Sequence, residues 1–192
     1  MLKRRSAGAE SKYNSPMRNP RLFLALAAAL LVPTLHAQTP APAAEPPAAC
    51  PSTASLEELI DAIDAAVSGP ADKDRTCFRA LFLPDARLIP IRIAKDGTAA
   101  PVILNVDGWI SAVAKRAPMV IAEHQIKVRV ETWAHVAHLW STYTTTMGTD
   151  AKIADRGINS IQAIYDGKQW HIIEITWQAE VPTDPVPAKY LP

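Results

Sequence analysis

The stretch RGINSIQAIYDGKQWHIIEITWQAE, residues 156–180, decides the fold. Two apolar, β-branched runs of strand length flank Asp166-Gly167, a dipeptide that strongly marks a short hairpin. Apolar residues fall on both faces of each run, which predicts a pair in the middle of a curved sheet rather than at its edge. With Tyr165 opposite Trp170, Asn159, Ile161, Ala163, Ile172, Glu174 and Thr176 share one face.

Upstream of the hairpin, residues 119–132 alternate cleanly. Ala122, His124, Ile126, Val128 and Val130 form an apolar face, and Glu123, Gln125, Lys127, Arg129 and Glu131 a polar one. A turn at Trp133-Ala134 leads into a long strand over 135–147, a register that sets His124 opposite Tyr143 and His138 opposite Arg129. A loop over 148–155 then reaches the hairpin. Nearer the start, Ser55 and Glu58 form a capping-box pattern. Leu56, Leu59, Ile60, Ile63 and Val67 follow as one helical stripe, closed by Gly69-Pro70. A second helix is expected over 72–82, until Pro84. A strand follows from Ala86, where Pro90 marks an edge or a bulge. After a turn at Asp96-Gly97 and a return strand over 102–106, Asp107 caps a third helix over 108–115. Two consecutive amphipathic helices need a sheet beneath them, so the order implies α+β, with helices on one side of a strongly bent antiparallel sheet of about six strands.

The first 37 residues differ in kind. Lys3, Arg4, Arg5, Lys12, Arg18 and Arg21 precede an apolar run over 22–32 and a short segment ending in Ala37, the pattern of a secretory signal peptide, with Met17 as the expected true start. The run is too short to span a bilayer, which needs about 20 residues. The expectation is therefore an exported protein, periplasmic or secreted, with no lasting membrane anchor. Residues 38–53 read as a Pro/Ala-rich linker, 54–181 as the domain, and 182–192 as an extended Pro-rich tail.

Those 37 residues hold six of the 20 basic and one of the 19 acidic residues, leaving 14 basic against 18 acidic, a net charge of −4. The mature chain lacks the basic footprint of a nucleic-acid binder. Cys50 and Cys77 would persist as a disulfide in an oxidising compartment, closing a loop of about 27 residues worth roughly 3–4 kcal/mol. The alternative is a buried Cys77 and a loose Cys50.

The element order, with LFLPDARLIP after the second helix, AHLWSTY on the long strand and YDGKQWHIIEITWQ at the end, resembles the nuclear transport factor 2-like superfamily, and within it exported SnoaL-like members. The resemblance covers roughly residues 54–181. It implies a cone with a pocket between the bent sheet and three helices. It also implies one of two roles: a cofactor-independent isomerase, dehydratase or cyclase, or a protein that only binds a ligand or a partner chain. Homodimers are implied by the same analogy. The catalytic Asp/His arrangements of the family's enzymes find no matching positions here.

Candidate site residues follow from the faces. His124 lies on the apolar face of its strand, where it is either a general base or a hydrogen-bonded rim histidine. Tyr143 is its expected neighbour. Asn159 and Glu174 share a face of the hairpin. If that face is concave, desolvation raises the Glu174 pKa into the useful acid–base range; if convex, Glu174 is solvated. His135 and His138 stand three apart on a strand and point to opposite faces, so they do not converge on a metal. The function classes left are three. The first is a pocket for a small, mostly apolar or mixed-polarity molecule. The second is a lyase or isomerase using His124 or Glu174. The third is a dimerising module burying Trp140 against a second copy.

Overall fold

The computed structural model of the chain describes residues 49–148 and 152–192, which fall in the unit Pro46–Pro192. The expected signal segment 1–37 and linker residues 38–48 lie outside the described residues.

Helix α1, Leu56–Val67, begins where its capping box places it. Ser55 Oγ accepts from the Glu58 N–H at 3.1 Å, and the Glu58 carboxylate accepts from the Ser55 N–H at 3.0 Å. Its stripe buries Leu59, Ala62, Ile63, Ala66 and Val67. The carbonyls leaving its last turn have no helical partner. The buried Arg75 guanidinium takes them up, donating to Ala66, Val67 and Pro70.

Helix α2, Thr76–Ala80, is shorter than the expected 72–82. Asp74 holds the chain before it in a turn, accepting from both the N–H and the hydroxyl of Thr76. After it, the sheet captures the backbone at once, with the Ile172 N–H donating to the Leu81 carbonyl at 2.8 Å. A disulfide joins Cys50 to Cys77, Cα–Cα 5.2 Å, and ties the lead-in to α2. Helix α3, Val106–Ala114, is capped by Asn105, whose side chain accepts from the Gly108 N–H at 2.8 Å. Asp107, the expected cap, pairs with Arg79 at 2.7 Å instead.

Among the described residues, eight strands form the sheet: β1 Gly69–Pro70, β2 Phe82–Ile93, β3 Ala99–Pro101, β4 Leu104–Asn105, β5 Val120–Trp133, β6 Val136–Met147, β7 Ile153–Tyr165 and β8 Trp170–Ala179. Their order is β1-β5-β6-β7-β8-β2-β3, with β4 also on β2. The pairing of β2 with β8 is parallel and the rest antiparallel, so the sheet is mixed rather than purely antiparallel. Strand β2 lies inside the sheet despite Pro90. It tolerates the missing N–H because β4 pairs with residues 87–88 and β3 with 91–93, and Pro90 falls in the gap between them. The central hairpin forms as its sequence predicts. Asp166 Oδ1 accepts from the N–H groups of Lys168 and Gln169, both at 2.8 Å, and Gly167 takes φ 99°.

The three helices lie over one face of the sheet, sharing a core with Leu88, Leu139, Ile161, Ile172 and Ile175. Residues from 181 onward run over the opposite face. There Thr142 Oγ1 donates to the Tyr190 carbonyl at 2.7 Å, Lys127 Nζ to that of Leu191, and the Arg129 guanidinium sits 5.1 Å from the Tyr190 ring centre. The tail is thus a strap. Trp140 meets Tyr190 of its own chain at 6.0 Å between ring centres.

Candidate functional site

Two irregularities in the ladders decide which side chains face the helices. Between Gln125 and Lys127 the β5–β6 register shifts by one, leaving Ile126 without a partner. On the far side of this bulge Val128 packs on the core. On the near side the parity reverses, so Ile121 and Glu123 point inward. The turn also falls one residue later than expected. Trp133 pairs with Val136, Ala134 adopts φ 50°, and Gln125, not His124, stands opposite Tyr143. A second bulge leaves Ile173 unpaired between Gln162↔Glu174 and Ala163↔Ile172, reversing β8 in the same way. Asn159, Ile161, Ile175 and Trp177 therefore share the inner face.

These inner side chains and the helices line a partly open cavity of about 150 Å³. Its apolar wall comes from Ile63 and Val67 of α1, Phe78 of α2, Val113 and Trp109 of α3, and Leu88 of β2. Phe78 and Trp109 stack at 4.3 Å. Its polar groups are Glu123, Tyr143, Thr145, Asp155 and Asn159, with Arg92 and Arg116.

A hydrogen-bond chain orders the polar wall. Asn159 Nδ2 donates to Gln125 Oε1 at 3.2 Å, as does the Ser141 hydroxyl. Gln125 Nε2 donates to Glu123 Oε1 at 3.2 Å, and Thr145 Oγ1 to Glu123 Oε2 at 3.2 Å. Two donors at one end of the Gln125 amide and a carboxylate at the other leave it a single sensible orientation. At the bulge the Gln125 backbone N–H donates to both carboxylate oxygens of Asp64, each at 3.1 Å, which pins α1 to the sheet beside the site.

Burial governs the electrostatics. The Glu123 carboxyl is pushed up to about 7, chiefly by desolvation and further by the charges of Asp64 and Asp155, against the bonds from Thr145 and Gln125. Asp155 is raised mainly by burial, against the Arg156 backbone N–H and the fields of Arg116 and Arg92. The Tyr143 phenol is raised by desolvation and by neighbouring carboxylates, so it stays a proton donor. A carboxyl that changes charge near neutrality, a neutral phenol and an amide thus face one apolar space. Such a set can orient a carbonyl or hydroxyl and exchange a proton with it.

Of the four residues expected at the site, the structure brings Tyr143 and Asn159 together on the cavity wall. It does not bring His124 or Glu174 there. His124 has its side chain 71% exposed, with Nδ1 3.7 Å from Asp64 Oδ2. Glu174 faces outward and pairs with Arg87, its register partner on β2. The two bulges account for both corrections. Glu123 and Gln125, assigned to the outward polar face by simple alternation, are the residues missed, together with Thr145, Asp155, Arg92 and Arg116. No group of three His, Cys, Asp or Glu able to hold a metal occurs among the described residues.

The chain matches no family model and no curated protein. It is similar in structure to an NTF2-like protein of unknown function from Pseudomonas putida, at 15% identity and a TM-score of 0.51, over 68% of this chain and 89% of that one. It is also similar to a protein of unknown function with a cystatin-like fold from Nostoc punctiforme, at 15% identity and a TM-score of 0.50, over 69% and 92%. An NTF-2 like protein of unknown function from Silicibacter pomeroyi follows at 14% identity and a TM-score of 0.45, over 66% and 94%.

Proposed function

The chain has the nuclear transport factor 2-like fold, α+β with three helices on a mixed, mostly antiparallel sheet, and from that premise we propose that it is an exported pocket protein that binds one small, mostly apolar molecule. One observation carries the reading: a cavity of about 150 Å³ with an apolar wall on the helix side and hydrogen-bonding groups gathered around Glu123, Tyr143 and Asn159. An apolar cavity of that size accepts a single benzene ring in another protein, so the expected occupant is of that order. The charged start and the apolar run over 22–32 support export to the periplasm or beyond.

Trp109 and Trp177 both line the cavity and report on it. Titrating the chain with phenol or indole should shift their indole N–H signals saturably, and Val113→Phe, which fills the space, should abolish the effect. Absence of saturable shifts for a panel of such compounds would defeat the reading.

A second reading is favoured by Glu123. A carboxyl poised near pH 7 beside a neutral phenol suits cofactor-independent proton transfer of the isomerase or dehydratase kind, with Glu123 as base and Tyr143 polarising the substrate. In this reading Glu123 replaces His124 and Glu174 as the base. Its test is turnover that follows one group titrating near 7 and is lost in Glu123→Gln.

A further inference from the structure

We propose that the occupant of this cavity is an anion, a small apolar carboxylate whose charge is held at the rim by Arg92 and Arg116. The inference rests on the pocket reading above and names the ligand class it would take.

Seven arginines are described, and five of them engage protein groups. Arg75 holds the carbonyls at the end of α1, Arg79 pairs with Asp107, Arg87 with Glu174 and Arg156 with Glu180, and Arg129 donates to the Lys189 carbonyl. Arg92 and Arg116 are the remaining two. Among the described residues neither has an ion pair or a side-chain hydrogen bond, and both line the same cavity. They arrive from different elements, Arg92 near the end of β2 and Arg116 in the turn after α3, and both are exposed as residues. Their guanidinium groups therefore belong to the rim.

Asp155 does not complete them. Both arginines act on it through their fields, yet among the described residues no ion pair joins it to either. Two planar, five-donor groups left open beside an apolar space match a carboxylate. The interior fixes which way such a ligand enters. Burial already holds the Glu123 carboxyl against ionisation, so a second negative charge is disfavoured beside it. The charged end stays at the rim with the arginines. The apolar body goes inward, where any neutral polar atom it carries meets Tyr143 or Asn159.

The test uses the full chain with 3-phenylpropionate and its neutral amide, followed through the indole N–H signals of Trp109 and Trp177. The acid should bind about tenfold more tightly than the amide, the order of one charge-assisted contact at a part-exposed site. That preference should shrink in high salt and disappear in the Arg92→Gln/Arg116→Gln double variant. Equal binding of acid and amide, or a preference that survives the double variant, overturns the assignment while leaving the pocket reading intact. If neither compound perturbs Trp109 or Trp177, the pocket reading fails and this inference fails with it.

Discussion

Tyr143 stands opposite Gly157 in the β6–β7 ladder, and its hydroxyl fills the space a side chain at 157 would need. A Cβ there would lie 2.7 Å from the Tyr143 hydroxyl and 2.2 Å from the Gln178 carbonyl oxygen. The glycine is required by close approach, not by backbone angle. Gly157→Ala should cost about 1–3 kcal/mol in urea unfolding, the usual penalty of overpacking, and should displace the Tyr143 ring. Adding Tyr143→Phe should recover only part, since the contact with the Gln178 backbone remains. Full stability of Gly157→Ala would show that the strands can yield here.

The Glu123 carboxyl, ordinarily near 4.5, titrates at about 7 in the folded chain. The folded state therefore holds its proton more tightly than the unfolded state does. The associated stability is fully present below pH 4.5 and is lost as pH rises to about 7. Asp64 and Asp155, also raised by burial, act with the same sign. Glu123→Gln should be more stable than the parent at pH 8, by about 1–3 kcal/mol, and should show no such gain at pH 4. Denaturant unfolding at the two pH values measures this, and an equal effect at both would contradict the assignment.

Asp64 links this titration to the fold. Its carboxylate accepts the Gln125 N–H at the β5 bulge, and its charge helps raise the Glu123 pKa. Asp64→Ala should leave that N–H without its acceptor, at a cost of about 1–3 kcal/mol. Asp64→Asn keeps an acceptor and should lose less. Both variants should lower the Glu123 midpoint, read by carboxyl carbon NMR. A midpoint unmoved in either would show that the two carboxylates are not coupled.

The fold was legible because its signals are local. The capping box at Ser55 and Glu58, the Asp166-Gly167 turn and the alternation over 119–132 each act within a few residues, and each produces the expected element. The site was half legible for a related reason. Side-chain parity is a count carried along a strand, and one extra residue reverses everything beyond it. Tyr143 and Asn159 reach the cavity together because no bulge interrupts the inner faces of β6 and β7 between residues 137–143 and 159–163, although the count left open whether the Asn159 face was concave. Counting set His124 on the inward apolar face and Glu174 on the face of Asn159 because Ile126 and Ile173 are bulged, and an isoleucine, itself a strand former, gives no local sign of a bulge. The polar Glu123 and Gln125 read as solvent-facing by the same count. Only the position of Asp64 on α1, which accepts the Gln125 N–H, reveals the reversal, and that contact joins residues 61 apart.

The tail supplies a last test, on the opposite face of the sheet. Tyr190 lies against Trp140 and Arg129, and the Tyr190 carbonyl accepts from Thr142. Val186 is buried, and its N–H donates to the Glu180 carboxylate at 3.2 Å. Deleting residues 186–192 should uncover Trp140 and Ile158 and join them into a larger apolar patch, the kind of surface that recruits another chain. The loss of Val186 and Tyr190 should lower stability by about 2–4 kcal/mol on the area they cover. Acrylamide should quench tryptophan emission more strongly in the shortened chain, and light scattering should show a concentration-dependent mass exceeding that of the full chain. Unchanged quenching and mass would mean that the strap leaves this face open in solution and that covering it does not keep copies of the chain apart.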